Sequence, residues 1–105
     1  MLNPVINGGA VVCAQNKTST DLTITGLPAG FQYTYQWTRS VNGGTPTNIA
    51  APAGTANHYL VEEANAGTVT YGVTVKYQLN GNCPGSASKS ITVDALPAAP
   101  TIVIN

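Results

Sequence analysis

Strict alternation of apolar and polar residues constrains this chain more than any other feature. From Val69 to Leu79 it reads Val-Thr-Tyr-Gly-Val-Thr-Val-Lys-Tyr-Gln-Leu, with an apolar residue at every second position. A period of two is the signature of an extended strand, whose successive side chains point to opposite faces. The recurrence of apolar residues three and four apart that marks an amphipathic helix is found nowhere convincingly. The same alternation runs through Phe31, Tyr33, Tyr35 and Trp37, through Leu22 and Ile24, and through Ile91 and Val93. Each segment therefore offers one apolar and one polar face, as strands do in antiparallel sheets wetted on one side. The Val, Ile, Thr and Tyr content suits a pleated, half-buried surface.

Turn-forming residues separate these runs: Asn7-Gly8-Gly9, Leu27-Pro28-Ala29-Gly30, Asn42-Gly43-Gly44, Ala53-Gly54, Asn65-Ala66-Gly67 and Asn80-Gly81. Asn-Gly supplies the positive φ that tight hairpins demand. Short strands punctuated in this way predict a sandwich or barrel. We read strands over 3–7 with a continuation at 10–13, then 19–26, 31–39, 46–50, 57–62, 68–79 and 87–94. Within 57–62 two facings stay open, with either His58 and Leu60 or Tyr59 and Val61 turned inward. The predicted core is Leu22, Ile24, Tyr35, Trp37, Val69, Tyr71, Val73, Val75, Ile91 and Val93. Tyr71 is a candidate for a hydroxyl bond to backbone, and Tyr59 and Tyr77 are the aromatic residues expected to reach a ligand surface.

The two ends of the chain echo each other. Leu2-Asn3-Pro4-Val5-Ile6-Asn7 near the start corresponds to Pro100-Thr101-Ile102-Val103-Ile104-Asn105 at the end, at an offset of 98 residues when the two asparagines are aligned. Self-similarity at a fixed period marks repeat architectures. The expected division is a sandwich over 1–95, and over 96–105 a linker stiffened by Pro97 and Pro100 together with the first strand of a following unit.

Composition excludes several functions. Only 8 % of residues are charged and the formal net charge is zero. The four cations, Lys17, Arg39, Lys76 and Lys89, are scattered, so no basic stripe is available for nucleic acid. No apolar run approaches the roughly 18 residues of a membrane span. No signal peptide is visible after Met1, so an exported protein would carry its signal outside this stretch. Catalysis would need paired carboxylates, a nucleophile beside a base, or a metal. Glu62 and Glu63 are chain neighbours that point to opposite faces, and His58 is the only histidine. No Gly-x-Ser-x-Gly or phosphate-binding glycine loop is present. No enzymatic activity, cofactor or metal is expected. Cys13 and Cys83 lie outside any Cys-x-x-Cys pair, which favours a disulfide in an oxidising compartment over a zinc site. By a loop-entropy argument such a bridge would add about 4 kcal/mol. The other reading is two separate buried thiols.

The Cys ahead of the second strand, Tyr35-Gln36-Trp37, Asn65-Ala66-Gly67-Thr68 leading into the long Val/Tyr strand, Asn82-Cys83 beyond it, Ser90-Ile91-Thr92-Val93 and the Pro-Ala-Ala-Pro-Thr-Ile junction together form a pattern. It resembles the immunoglobulin-like, PKD-like tandem repeats of large secreted and surface proteins of the Bacteroidota. The resemblance implies an all-β, immunoglobulin-like antiparallel β-sandwich of about seven strands with Greek-key connections. One departure is Thr68-Val69-Thr70-Tyr71-Gly72-Val73, which leaves the register of that strand open. The Cys13–Cys83 bridge would then pin one end of the sandwich, with Trp37 packed on aliphatic side chains. The expected role is a non-catalytic structural spacer or stalk module at the cell surface or in a secreted protein. Its partners would be neighbouring repeats of the same chain, with a glycan or cell-surface ligand as a further partner, and an isolated unit would be monomeric. Two alternatives are an adhesive or carbohydrate-binding module and a self-assembling subunit that uses 101–105 as an added strand.

Overall fold

The computed structural model describes residues 2–15, 17–78 and 84–95. The described residues form two packed β-sheets with eight strands: β1 Val5–Asn7, β2 Val11–Cys13, β3 Thr20–Thr25, β4 Tyr33–Val41, β5 Thr47–Asn48, β6 His58–Val61, β7 Gly67–Tyr77 and β8 Gly85–Asp94. One sheet has the order β1-β3-β6 and the other β2-β8-β7-β4-β5. This is an all-β immunoglobulin-like sandwich. The first predicted strand is two short ones that sit in different sheets: β1 pairs with β3, while β2 pairs with β8. That last pairing is parallel, so the sandwich is not antiparallel throughout.

The alternation in the sequence becomes the inside and outside of the larger sheet. Across β4 and β7, Tyr35 stands opposite Val75, Trp37 opposite Val73 and Arg39 opposite Tyr71; on β8, Ile91 stands opposite Val69. The register of β7 thus runs unbroken through Gly72. Leu22, Trp37, Val69, Tyr71, Val73, Val75, Ile91 and Val93 are buried, while Ile24 and Tyr35 are half-buried against them. Leu2, Ile6, Val12, Ala14 and Val61 complete the core. On β6 the facing resolves to Tyr59 and Val61 inward, with His58 and Leu60 exposed. The interior is tightly packed, as a folded core must be to stabilise so small a domain.

Trp37 is completely buried, and its indole N–H donates to the Ala56 carbonyl at 2.8 Å. A short 3-10 turn, Ala53–Thr55, delivers that carbonyl. The ring packs on Tyr59, with centroids 5.9 Å apart, so its neighbours include an aromatic ring as well as the expected aliphatic side chains.

The chain comes in at one end of the sandwich and leaves at the other. Leu2 packs against the start of β8, so closely that a Cβ on Gly85 would lie 2.2 Å from the Leu2 carbonyl oxygen. The far end of β8, Asp94, lies beside Cys13, and Ala14 N–H donates to the Asp94 carbonyl at 2.8 Å. At about 3.3 Å per residue the 10 residues of β8 hold these inlet and outlet ends roughly 30 Å apart.

Candidate functional site

Side chains that carry chemistry gather in two places. The first is inside the sandwich. Arg39 falls on the inward parity of β4, and Glu63 follows Val61 at the same parity just beyond β6. The two meet through a two-pronged bridge, with Arg39 Nε 3.0 Å from one Glu63 oxygen and a terminal nitrogen 2.6 Å from the other. The Tyr71 hydroxyl donates to the same carboxylate. The expected bond from Tyr71 to backbone is therefore corrected, because the buried carboxylate is the stronger acceptor within reach.

Burial pushes the Glu63 carboxyl up, but the Arg39 guanidinium and the Tyr71 hydroxyl more than offset it and hold it below the usual carboxylate range. Burial, then the bond to Glu63, raises the Tyr71 hydroxyl well above an ordinary tyrosine. Among the described residues no buried side-chain polar atom lacks a partner. With its carboxylate fully engaged, Glu63 is built to hold the two sheets together.

The second place is the outer face of the smaller sheet, where His58 Nδ1 and Asp21 Oδ1 lie 2.9 Å apart with both side chains about half exposed. Among the described residues no three His, Cys, Asp or Glu side chains come together. Glu62 is exposed and Glu63 buried, so the adjacent acids do face opposite ways. A shallow cavity of about 360 Å³ beside His58 is lined by Ala53, Ala56, Tyr59, Leu60 and Glu62. It brings a single acid to a single imidazole.

Tyr59 and Tyr77 do not form one surface. Tyr59 is half-buried between Trp37 and Tyr71, 5.2 Å from the latter ring. Tyr77 sits at the inlet end of β7, with Tyr33 at 5.4 Å and the exposed Phe31 at 5.3 Å. Six residues of strand separate Tyr71 from Tyr77, or roughly 20 Å. The signal that sequence reading passed over was parity: Arg39 and Glu63 each continue an inward series, and a charged residue on that face requires a partner.

Cys13 is half-buried and carries a free thiol. Cys13 is at the outlet end, because β2 runs parallel to β8 and so ends where β8 ends. Cys83, and with it the expected Cys13–Cys83 bridge, lies outside the described residues.

Residues 3–97 match the model of a family described as a domain of unknown function, DUF8696. The chain belongs to this family. No curated protein has a matching sequence. Among solved structures, the PKD domain of human KIAA0319 superposes with a TM-score of 0.54 at 16 % identity, covering 97 % of this chain and 90 % of that one. A superoxide reductase (neelaredoxin) from Ignicoccus hospitalis gives 0.54 at 15 % identity, over 88 % and 80 % of the two chains. At these identities the likeness is one of fold, and fold alone does not carry function.

Proposed function

We propose that this domain is a non-catalytic spacer module, one unit of a head-to-tail array in a multi-domain extracellular bacterial surface or secreted protein. The observation that carries the reading is the placement of the chain's inlet and outlet at opposite ends of a sandwich about 30 Å long. Such a unit adds length when units are joined in series. Units whose ends lay together would fold back on each other instead. The echo of residues 2–7 at 100–105 supplies the period, and the family match stops at residue 97, ahead of that echo. The low charge and the surface of Thr, Ser, Asn and Gln suit a module whose work is to keep its shape.

Small-angle scattering on two units joined at the 98-residue period tests this. An array module gives a two-unit particle close to twice the length of one. A compact particle, with the two units side by side, overturns the reading. So does a parent reading frame that holds a single copy.

A further inference from the structure

We propose that β6 is an interface between two copies of this chain, which pair antiparallel along its open edge about a two-fold axis at Leu60. This surface is on the flank of the sandwich. The inference therefore goes beyond the spacer reading and does not depend on it.

Among the described residues β6 has a neighbouring strand on one side only, because the smaller sheet runs β1-β3-β6 and stops there. Natural edge strands are blunted by shortness, proline or lysine. The other edges follow that rule: β5 has two residues, β2 has three, and β1 has three directly after Pro4. The β6 edge does not. Its alternation runs on through exposed Glu62 and buried Glu63, so the stretch 58–63 holds no proline, lysine or glycine. The cavity of about 360 Å³ opens along the same stretch, lined by His58, Leu60 and Glu62 and by Ala53 and Ala56 around the turn before them. The strand is uncovered there.

The sequence of this edge is complementary to itself. Residues directly opposite each other in an antiparallel pair point to the same face. Two copies of β6 can thus match inward with inward only in registers that set one residue opposite itself. With Tyr59 at the centre, His58 meets Leu60. With Val61 at the centre, Leu60 meets Glu62, and Tyr59 meets the Glu63 carboxylate that Arg39 already holds. With Leu60 at the centre, Leu60 meets Leu60, Tyr59 meets Val61, and His58 meets Glu62 on both sides of the axis. Only this last register joins apolar to apolar and imidazole to carboxylate. It covers Leu60, which is 47 % exposed in the single copy.

Asp21 stands across from Leu60 on β3, and its carboxylate takes His58 Nδ1 at 2.9 Å. That leaves Nε2 of the ring for Glu62 of the second copy, and an imidazolium donates from both nitrogens. Each His58 would then lie between a carboxylate of its own copy and one of the other. The contact is isologous and closes on itself. It converts two three-stranded sheets with open edges into one of six strands, ordered β1-β3-β6-β6-β3-β1.

Sedimentation equilibrium of the 105-residue chain from micromolar to millimolar concentration tests this, and a reversible monomer–dimer equilibrium is expected. Leu60→Glu sets like charges against each other at the axis and should raise the dissociation constant at least about tenfold. Glu62→Lys faces the imidazole with a cation and should raise it about fivefold. Both side chains are exposed in the single copy, and far-UV circular dichroism checks that the fold is kept. Crosslinking reads the register independently. In a Cys13→Ser, Cys83→Ser background and a glutathione redox buffer, Leu60→Cys should give a disulfide-linked dimer, because residues opposite each other have Cα atoms about 4.5–5.5 Å apart. Glu62→Cys in the same background should give about a tenth as much, since its two copies lie four residues of strand apart, roughly 13 Å. A chain that stays monomeric throughout overturns the inference and leaves the edge to a strand of another protein. A dimer indifferent to Leu60→Glu, or one that crosslinks equally well from both positions, places the contact elsewhere and overturns it too.

Discussion

Glu63 is a carboxylate held 5 % exposed inside a sandwich, and Arg39 is what makes that tolerable. An ionised group taken from water is costly unless its charge and lone pairs are met, and here a guanidinium and a phenol meet them. Replacing Glu63 with Gln leaves the cation facing a neutral amide. Because the Arg39 side chain is 39 % exposed, solvent softens the loss, and we expect about 2 kcal/mol at neutral pH, below the 3–5 kcal/mol of a fully buried pair. The pH dependence has a definite sign. The folded carboxyl titrates below its unfolded value, so its stabilisation is complete above the ordinary carboxylate range. It is lost as pH falls through the lowered folded value. Urea unfolding of wild type and Glu63→Gln at several pH values between 7 and 2 should show the gap at neutrality shrink towards acid. A constant gap would mean that the amide loses packing and no charge contact.

At the scale of elements, how much could be read depended on length. The 11 residues of β7 and the 9 of β4 carry enough alternation to fix their facing, and the register of Trp37 on Val73 follows from it. The 3-residue strands β1 and β2 carry almost none. Their split between two sheets, and the parallel pairing of β2 with β8, depend on tertiary contacts that no local pattern encodes. The Arg39–Glu63 pair was legible as two charges on inward parity, though not as a pair. Leu2, the first residue of the core, is held by the absence of a side chain at Gly85. Gly85→Ala would force its Cβ into the Leu2 backbone, and we expect a loss of about 2 kcal/mol as the chain start is pushed off β8. Leu2→Ala should cost a similar amount, and the double variant clearly less than the sum, because both undo one contact. At the outlet end Asn42, at φ 50°, accepts the Thr68 N–H on its side-chain oxygen at 2.9 Å while its own N–H donates to the Thr68 carbonyl at 2.7 Å. Asn42→Ala removes the side-chain half of this clamp and keeps the left-handed backbone, for an expected loss of about 1.5 kcal/mol in chemical denaturation.

For the molecule as a whole, a bridge between the two cysteines would decide how much of its stability is covalent. A bridge closing a loop of this size inside one copy would add about 4 kcal/mol by constraining the unfolded chain. Cys13 is a free thiol, so the described fold stands on its two-sheet core and the Arg39–Glu63 ion pair. Thermal unfolding of the isolated monomer should then be the same with and without a thiol reductant. The double variant Cys13→Ser, Cys83→Ser should match wild type within about 0.5 kcal/mol, the usual range for substitutions that break no packed or bonded contact. A fall of several degrees on reduction would instead place a bridge inside the copy.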